Sequence, residues 1–266
     1  MKQVKRSKDH LTKWIIRALA IFFFLFSLYK IGIIDQRILQ AFSRAEHLVK
    51  GMFPPTLDEP IDIAGAAIES LQVAVMGTFW GIIFSIALAI FAAKNLSPHI
   101  SISYLVKGFA AFVRAVPALI WALLFIIAVG LGPTPGILAL AINSIGMLLK
   151  VYAEAIEEID HGVIDAMRAT GATKFQVIMQ GILPSIMVIF VSWSVFRFDI
   201  NLRYATVLGV VGAGGIGWEL IRASRVMAYD QVMGVTLVIF GMILIAELIT
   251  RYLQKRMDIV NLRASQ

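Results

Sequence analysis

One apolar stretch of this chain carries two arginines, an aspartate and an asparagine in close succession: Arg197, Asp199, Asn201 and Arg203, within FRFDINLRYAT. Placing a charge at a bilayer centre costs roughly 2.5–3.5 kcal/mol on insertion scales, so these side chains need protein or a watery cavity around them and are expected to point inward. On a helix, Asp199 and Arg203 are four residues apart and able to pair, whereas Arg197 and Arg203 stand about 600° apart round the axis and face different ways. One aspartate neutralises one arginine. Arg114, in another apolar stretch, brings the local excess to two positive charges, which is what a pathway for an anion requires. A buried polar network that locks helices together is the other reading, and each residue taken alone fits either role.

Such residues require spanning helices to hold them. The chain has 266 residues, 59% hydrophobic and 15% charged, with apolar runs of about spanning length over 14–34, 68–93, 104–131, 135–152, 185–208 and 231–251. It is expected to be an all-α membrane protein with about six transmembrane helices. Its divisions are a tail over 1–13, a first span over 14–34, an outer elbow over 35–67, a core of five spans over 68–252 and a tail over 253–266. The first run is too long for a signal-peptide core and no small-residue cleavage site follows it, so it reads as a retained helix. The net charge of +7 does not indicate nucleic acid, because Lys2, Lys5, Arg6, Lys8, Lys13 and Arg17 precede or enter that first run. This is an orientation signal that places both termini and the 153–184 loop in the cytoplasm. The chain has no cysteine, and His10, His47, His99 and His161 lack ligand spacing, so no metal site is expected. In the second run Gly77, Gly81, Ser85 and Ala89 recur every four residues, a flat face for close helix approach. Pro117, three residues after Arg114, is placed to kink the third run and free a carbonyl.

Between two of these runs lies a polar passage, DAMRATGATKFQVIMQGILP, from Asp165 to Pro184. It reads as two short helices around a turn. Gly171 suits a left-handed position, Thr173 and Gln176 form a capping box, and Pro184 suits the start of a helix. The passage resembles the cytoplasmic loop of ABC-importer permeases, whose pattern is Glu-Ala-Ala, three residues, Gly, nine residues, Ile, one residue, Leu-Pro. Asp165, Ala166, Gly171, Leu183 and Pro184 fall on that pattern, while Met167 replaces its second Ala and Gly181 its Ile. The run Arg197, Asp199, Asn201, Arg203 and Thr206-Val207-Leu208-Gly209, together with Glu69-Ser70-Leu71-Gln72 and Arg114-Ala115-Val116-Pro117, resembles the phosphonate and phosphite branch of these permeases, with Asp199 in place of Glu.

The resemblance implies a type I importer permease fold with a cytoplasmic coupling-helix loop, in a bacterial inner membrane. It implies a second permease subunit, identical or paralogous, two cytoplasmic ATPase subunits and a periplasmic or extracellular binding protein. Asp165, Ala166, Gly171 and Thr173 would shape the lever that docks on the ATPase. Arg114, Arg197 and Arg203 would offset the desolvation of a phosphorus oxyanion, with Asp199 and Asn201 holding the arginines. ATP and magnesium would be bound by the partner ATPase, with no cofactor in this chain. Alternatives are import of another small substrate, such as phosphate or an amino acid, or an ion-coupled secondary transporter in which Asp199 titrates.

Gly212-Ala213-Gly214-Gly215-Ile216-Gly217 matches a dinucleotide-binding spacing, but that fingerprint needs a buried strand before it and a βαβ unit around it. Following an apolar span, Gly212, Gly214, Gly215 and Gly217 read instead as a tight re-entrant turn able to gate the outer mouth of a pathway. No phosphate-binding loop ending in Lys-Ser/Thr occurs, so the chain is not expected to be the ATPase, and no nucleophile–base constellation marks it as an enzyme.

Overall fold

The computed structural model describes residues 3–31, 45–159 and 161–264. Lys2, Asp35, Arg37, Arg44 and Asp160 lie outside the described residues, as do the side chains of Lys5, Arg6, Lys8, His10, His161, Arg168, Lys174, Arg256 and Arg263. The chain divides into two compact units, Met1–Pro54 and Pro55–Gln266. The first contains α1 (Gln3–Ile31) and a short helix over 45–51. α1 starts well before the expected span at residue 14, and its apolar stretch of membrane-crossing length is Thr12–Ile31. Phe22 and Phe26 stack along it at 6.1 Å, and the Arg17 guanidinium lies 5.8 Å from the Trp14 ring.

The second unit is helical throughout its regular structure: α2 (Pro60–Ala92), α3 (Ile100–Ala115), α4 (Ala118–Val129), α5 (Pro133–Glu157), α6 (His161–Ala169), a single turn (Lys174–Gln176), a π-helical turn (Val177–Ile182), α7 (Leu183–Gly209), α8 (Ile216–Arg225) and α9 (Tyr229–Ala264). α2 begins at Pro60, inside the stretch expected to be an elbow through 67. Proline without an N–H suits a first helical turn, and Asp62 in that turn complements the positive helix end.

The third apolar run, expected as one span over 104–131, is two helices. α3 and α4 meet at 90° across Val116 and Pro117. Pro117 disfavours helical geometry in the preceding residue, and Val116 is extended, with φ −92° and ψ 121°. A carbonyl near the break acquires a side-chain partner: Trp121 Nε1 donates to Val113 O at 3.4 Å.

α5 is the central span, with 61% of its most apolar window buried against 39% for α2 and 17% for α9. Small residues permit this. Gly77, Gly81, Ser85 and Ala89 are all buried, and a Cβ built on Gly77 would lie 2.6 Å from Leu140 Cβ, while one on Gly81 would run into Ser144 Cβ. α2 and α5 therefore approach almost to backbone contact, as the four-residue spacing predicts. On the other side of α5, Tyr152 stacks on Phe190 of α7 at 4.0 Å and reaches Ser194 Oγ at 2.6 Å. Gly81→Val is expected to force α2 off α5 and to lower stability by at least about 1–3 kcal/mol, read as reduced recovery and melting temperature of the purified membrane complex. Gly65→Val, at a position with open space around its Cα, should leave both unchanged.

Candidate functional site

Arg197 is only 3% exposed, deep in the apolar unit. All its hydrogen-bond partners lie on one face of α5: Nε donates to Ser144 Oγ at 2.9 Å, Nη1 to Met147 Sδ at 3.5 Å, and Nη2 to Asn143 Oδ1. Asn201, one turn along α7, is fully buried and donates through Nδ2 to Ser144 Oγ and to Thr78 Oγ1, both at 2.8 Å. The two hydroxyls return their protons to backbone carbonyls, Ser144 to Leu140 O at 2.6 Å and Thr78 to Ala74 O at 2.7 Å. Ser144 thus joins α5 to both polar residues of α7, and Thr78 brings in α2. None of Arg197's partners is a carboxylate.

The expectation that Asp199 and Asn201 hold the arginines is met for one pair, Asp199 with Arg203, and corrected for Arg197 and Asn201. At about 100° per residue Asp199 lies on the side of α7 away from Arg197, and among the described residues its ion pair is with Arg203, at 2.8 Å. Asn201 shares a face with Arg197 but touches neither arginine; both donate to the same Ser144 hydroxyl. Arg203 is less enclosed than Arg197. Its side chain is 51% exposed, and it faces α9, where Glu247 stands 3.6 Å away and also pairs with Arg251. Asp199, Arg203 and Glu247 thus form a chain of charges that bridges α7 and α9.

Arg114 joins Arg197 instead. A cleft of about 430 Å³ is lined by both arginines with Pro117, Asn143, Met147 and Tyr204. Arg114 is the last charged residue of α3 before the proline break, is exposed, and has no hydrogen bond or ion pair among the described residues. Gly146 sets its position, since a Cβ there would lie 3.0 Å from the Arg114 backbone N. The residues lining the cleft include two arginines and no acidic residue. The cleft can therefore bind an oxyanion through charge-assisted hydrogen bonds at one end and by contact with apolar walls elsewhere.

At one end of the bundle, α6 and the turns after it form the loop marked by Gly171. Gly171 has φ +81°, the left-handed conformation that its position predicts. Gln176 Oε1 accepts from Thr173 N at 2.8 Å and Thr173 Oγ1 accepts from Gln176 N at 3.4 Å, completing the capping box. Asp165, Ala166 and Thr173 are exposed and Leu183 is half-buried; Pro184 sits in the first turn of α7. Pro184 thus stands at the start of an α-helix as its type suggests, and the π-helical turn before it runs straight into α7.

Met167 and Gly181, the two departures from the importer pattern, face each other. A Cβ on Gly181 would collide with Met167 Sδ. Bulk at one position is thus exchanged for bulk at the other. Phe175, 69% exposed between Thr173 and Gln176, is an apolar group on this loop that its spacing does not single out.

At the other end of α7, Gly212, Gly214 and Gly215 have φ +99°, +74° and +74°. The chain reverses from α7 into α8 so tightly that a Cβ on Gly217 would enter Thr206 O. Ser70 Oγ accepts from Ile216 N at 2.9 Å, and a Cβ on Gly214 would lie 2.5 Å from Glu69 Oε1. The turn is held against α2, between two helices. α8 is tied down further by Arg222, paired with Glu59 and Glu219 at 2.9 Å each. These carboxylates, Glu59 first, raise the guanidinium's pKa above its ordinary value.

Residues 85–259 match the model of the binding-protein-dependent transport system inner membrane component family. The chain belongs to this family. The permease is 40% identical over 231 residues to the "Phosphate-import permease protein PhnE" of Mycolicibacterium smegmatis, covering 85% of its own length and 43% of that protein. It is 34% identical over 232 residues to the "Phosphite transport system permease protein PtxC" of Stutzerimonas stutzeri, covering 87% of its own length and 84% of that relative. Over 44% of its length it is 40% identical to the "Putative cryptic phosphonate transport system permease protein PhnE2" of Escherichia coli, 97% of which it covers. Among solved structures, an inward-facing MetNI methionine ABC transporter chain superposes with a TM-score of 0.66 at 19% identity, covering 76% of the permease and 99% of that chain. A chain of a bacterial alginate ABC transporter gives 0.55 at 19% identity over 96% and 99%. These show the shared fold: an all-helical importer permease of several membrane spans.

Asn143, Ser144, Thr78, Tyr204 and Glu247 are the site residues that sequence reasoning passed over. Asn143-Ser144 is a polar pair inside an apolar span, the same signal that exposed the α7 residues, and it supplies the partners Arg197 lacked.

Ser144→Ala is expected to strand Arg197 Nε and Asn201 Nδ2 and to cost about 1–3 kcal/mol, visible as a lower melting temperature of the purified complex. A double-mutant cycle tests the Met167–Gly181 exchange: Gly181→Ile alone should destabilise the loop and Met167→Ala should relieve it, with a coupling of about 1 kcal/mol. Additive effects would show that the two positions do not share space.

Proposed function

We propose that this permease is the membrane subunit of an ATP-driven importer for a small phosphorus oxyanion: phosphonate, phosphite or phosphate. The carrying observation is the cleft in which Arg114 and Arg197 converge without a carboxylate. An oxyanion leaving water loses hydration, and two guanidinium groups replace part of it through fixed N–H donors. Arg197 is held in place by neutral acceptors on α5, so its charge remains available to the anion. Arg114, whose side chain has no partner among the described residues and which stands beside a bend, is free to follow the substrate. With Arg203 neutralised by Asp199 and Glu247, we assign it to the α7–α9 contact rather than to the pathway. The names of the relatives, for phosphate, phosphite and phosphonate, support the same chemistry.

The working unit pairs two permease subunits with two cytoplasmic ATPase subunits and an external binding protein. ATP and magnesium reside on the ATPase. The distribution of basic residues supports both termini and the 161–182 loop on the cytoplasmic side. Closure of the ATPase pair moves that loop, and the π-helical turn passes the movement into α7, which carries Arg197 at mid-length. The glycine turn at 212–217 closes the outer end.

The test is uptake of radiolabelled phosphite, methylphosphonate and phosphate in cells expressing the permease with its ATPase and binding protein. One of these anions should enter in an ATP-dependent manner. Arg197→Gln should reduce its uptake at least about tenfold, and Gly171→Val, which forces a β-branched residue to positive φ, should uncouple ATP hydrolysis from uptake. Undiminished uptake by a stably assembled Arg197→Gln complex would rule the pathway out.

A further inference from the structure

A second cleft adjoins the first. It holds about 290 Å³ between α3 and α5 and is lined by Lys107, Arg114, Lys150, Glu154 and Glu157, with Gly146 at its floor. Arg114 is common to both clefts. Along α5 the lining runs from Asn143 and Met147 in the first to Gly146, Lys150, Glu154 and Glu157 in the second. From Asn143 to Glu157 there are fourteen rises of 1.5 Å, about 21 Å of helix, ending shortly before the 161–182 loop.

The charges of the two clefts differ in kind. The first has two arginines and no acid. In the second, Lys107 pairs with Glu157 at 2.7 Å and Lys150 with Glu154 at 3.5 Å, so three cations face two carboxylates. The Lys107–Glu157 pair is the more enclosed, with side chains 28% and 25% exposed, and the Glu157 carboxylate also accepts from Lys94 N at 2.7 Å. The Lys150–Glu154 pair is looser and about half-exposed.

We infer that this second cleft is an exit-side oxyanion site, in which Arg114 and Lys150 receive the anion from the Arg114–Arg197 cleft and Glu154 competes with it for Lys150. The inference rests on the proposed function. Net charge falls from two to one between the clefts, so the anion is bound more weakly as it moves inward. The built-in carboxylate reclaims Lys150 when the anion leaves. Arg114 accompanies the anion because, among the described residues, its side chain has no hydrogen-bond or ion-pair partner, whereas Lys107 and Lys150 each pair with a glutamate.

The test uses proteoliposomes containing the complete importer, with its ATPase facing the lumen, ATP and graded unlabelled phosphite inside, and binding protein with labelled phosphite outside. An exit-side site predicts that internal phosphite inhibits initial uptake. Lys150→Gln should raise the internal concentration giving half-inhibition about tenfold, and Glu154→Gln should lower it by a similar factor, since each alters one charge-assisted contact. These opposite directions distinguish an altered site from general damage to the fold. No inhibition of the wild type by internal phosphite, or equal half-inhibition in all three proteins, would overturn the exit site while leaving the importer reading intact. Absence of phosphite, methylphosphonate and phosphate uptake by the wild type would instead remove the reading on which it rests.

Discussion

The structure depends on how a guanidinium is kept charged inside an apolar bundle without a counter-charge. Arg197 is almost wholly buried, and its donors end on an amide oxygen, a hydroxyl and a thioether of α5. Such partners satisfy geometry but leave the charge uncompensated. A carboxylate in the same place would neutralise the group and leave a helix lock, the arrangement that Arg203 makes with Asp199. The contrast between two arginines six residues apart is therefore a contrast of use: one braces α7 against α9, the other holds a positive potential toward a cleft.

Holding Arg197 in this way constrains the rest of the bundle. Ser144 accepts from Arg197 and Asn201 while sitting opposite Gly81, so the polar network and the closest packing of α2 on α5 occur at the same level. A side chain at Gly81 would displace the hydroxyl on which the network turns. Gly146, two residues along α5 and so on its other side, does the same for α3, setting the backbone of Arg114 against α5. Both arginines of the cleft are thus positioned by glycines that carry no charge and make no hydrogen bond with their side chains.

Much of this was legible in the sequence where a local rule decided it. The left-handed Gly171, the Thr173–Gln176 box, the four-residue small face of α2 and the Asp199–Arg203 pair each follow from spacing within one element. Arg197's partners did not, because Asn143, Ser144 and Met147 lie fifty or more residues away and their contact is decided by helix packing. The sharp break at Pro117 was visible as a kink, but a single apolar run of 104–131 does not reveal a 90° bend. Nor did the start of α2 at Pro60 stand out from the turn-rich composition around it. Met167 and Gly181 read separately as departures from a motif; only their juxtaposition shows one compensating exchange.

The most direct test of the central claim is a structure of the assembled transporter, permease, ATPase and binding protein together, determined with saturating phosphite. The account predicts density for the anion in the Arg114–Arg197 cleft, within hydrogen-bonding distance of both guanidinium groups, with Arg197 still anchored to Asn143 and Ser144. Phosphite bound elsewhere along the translocation path, with a carboxylate of a neighbouring subunit seated against Arg197, would contradict it and make Arg197 a structural lock.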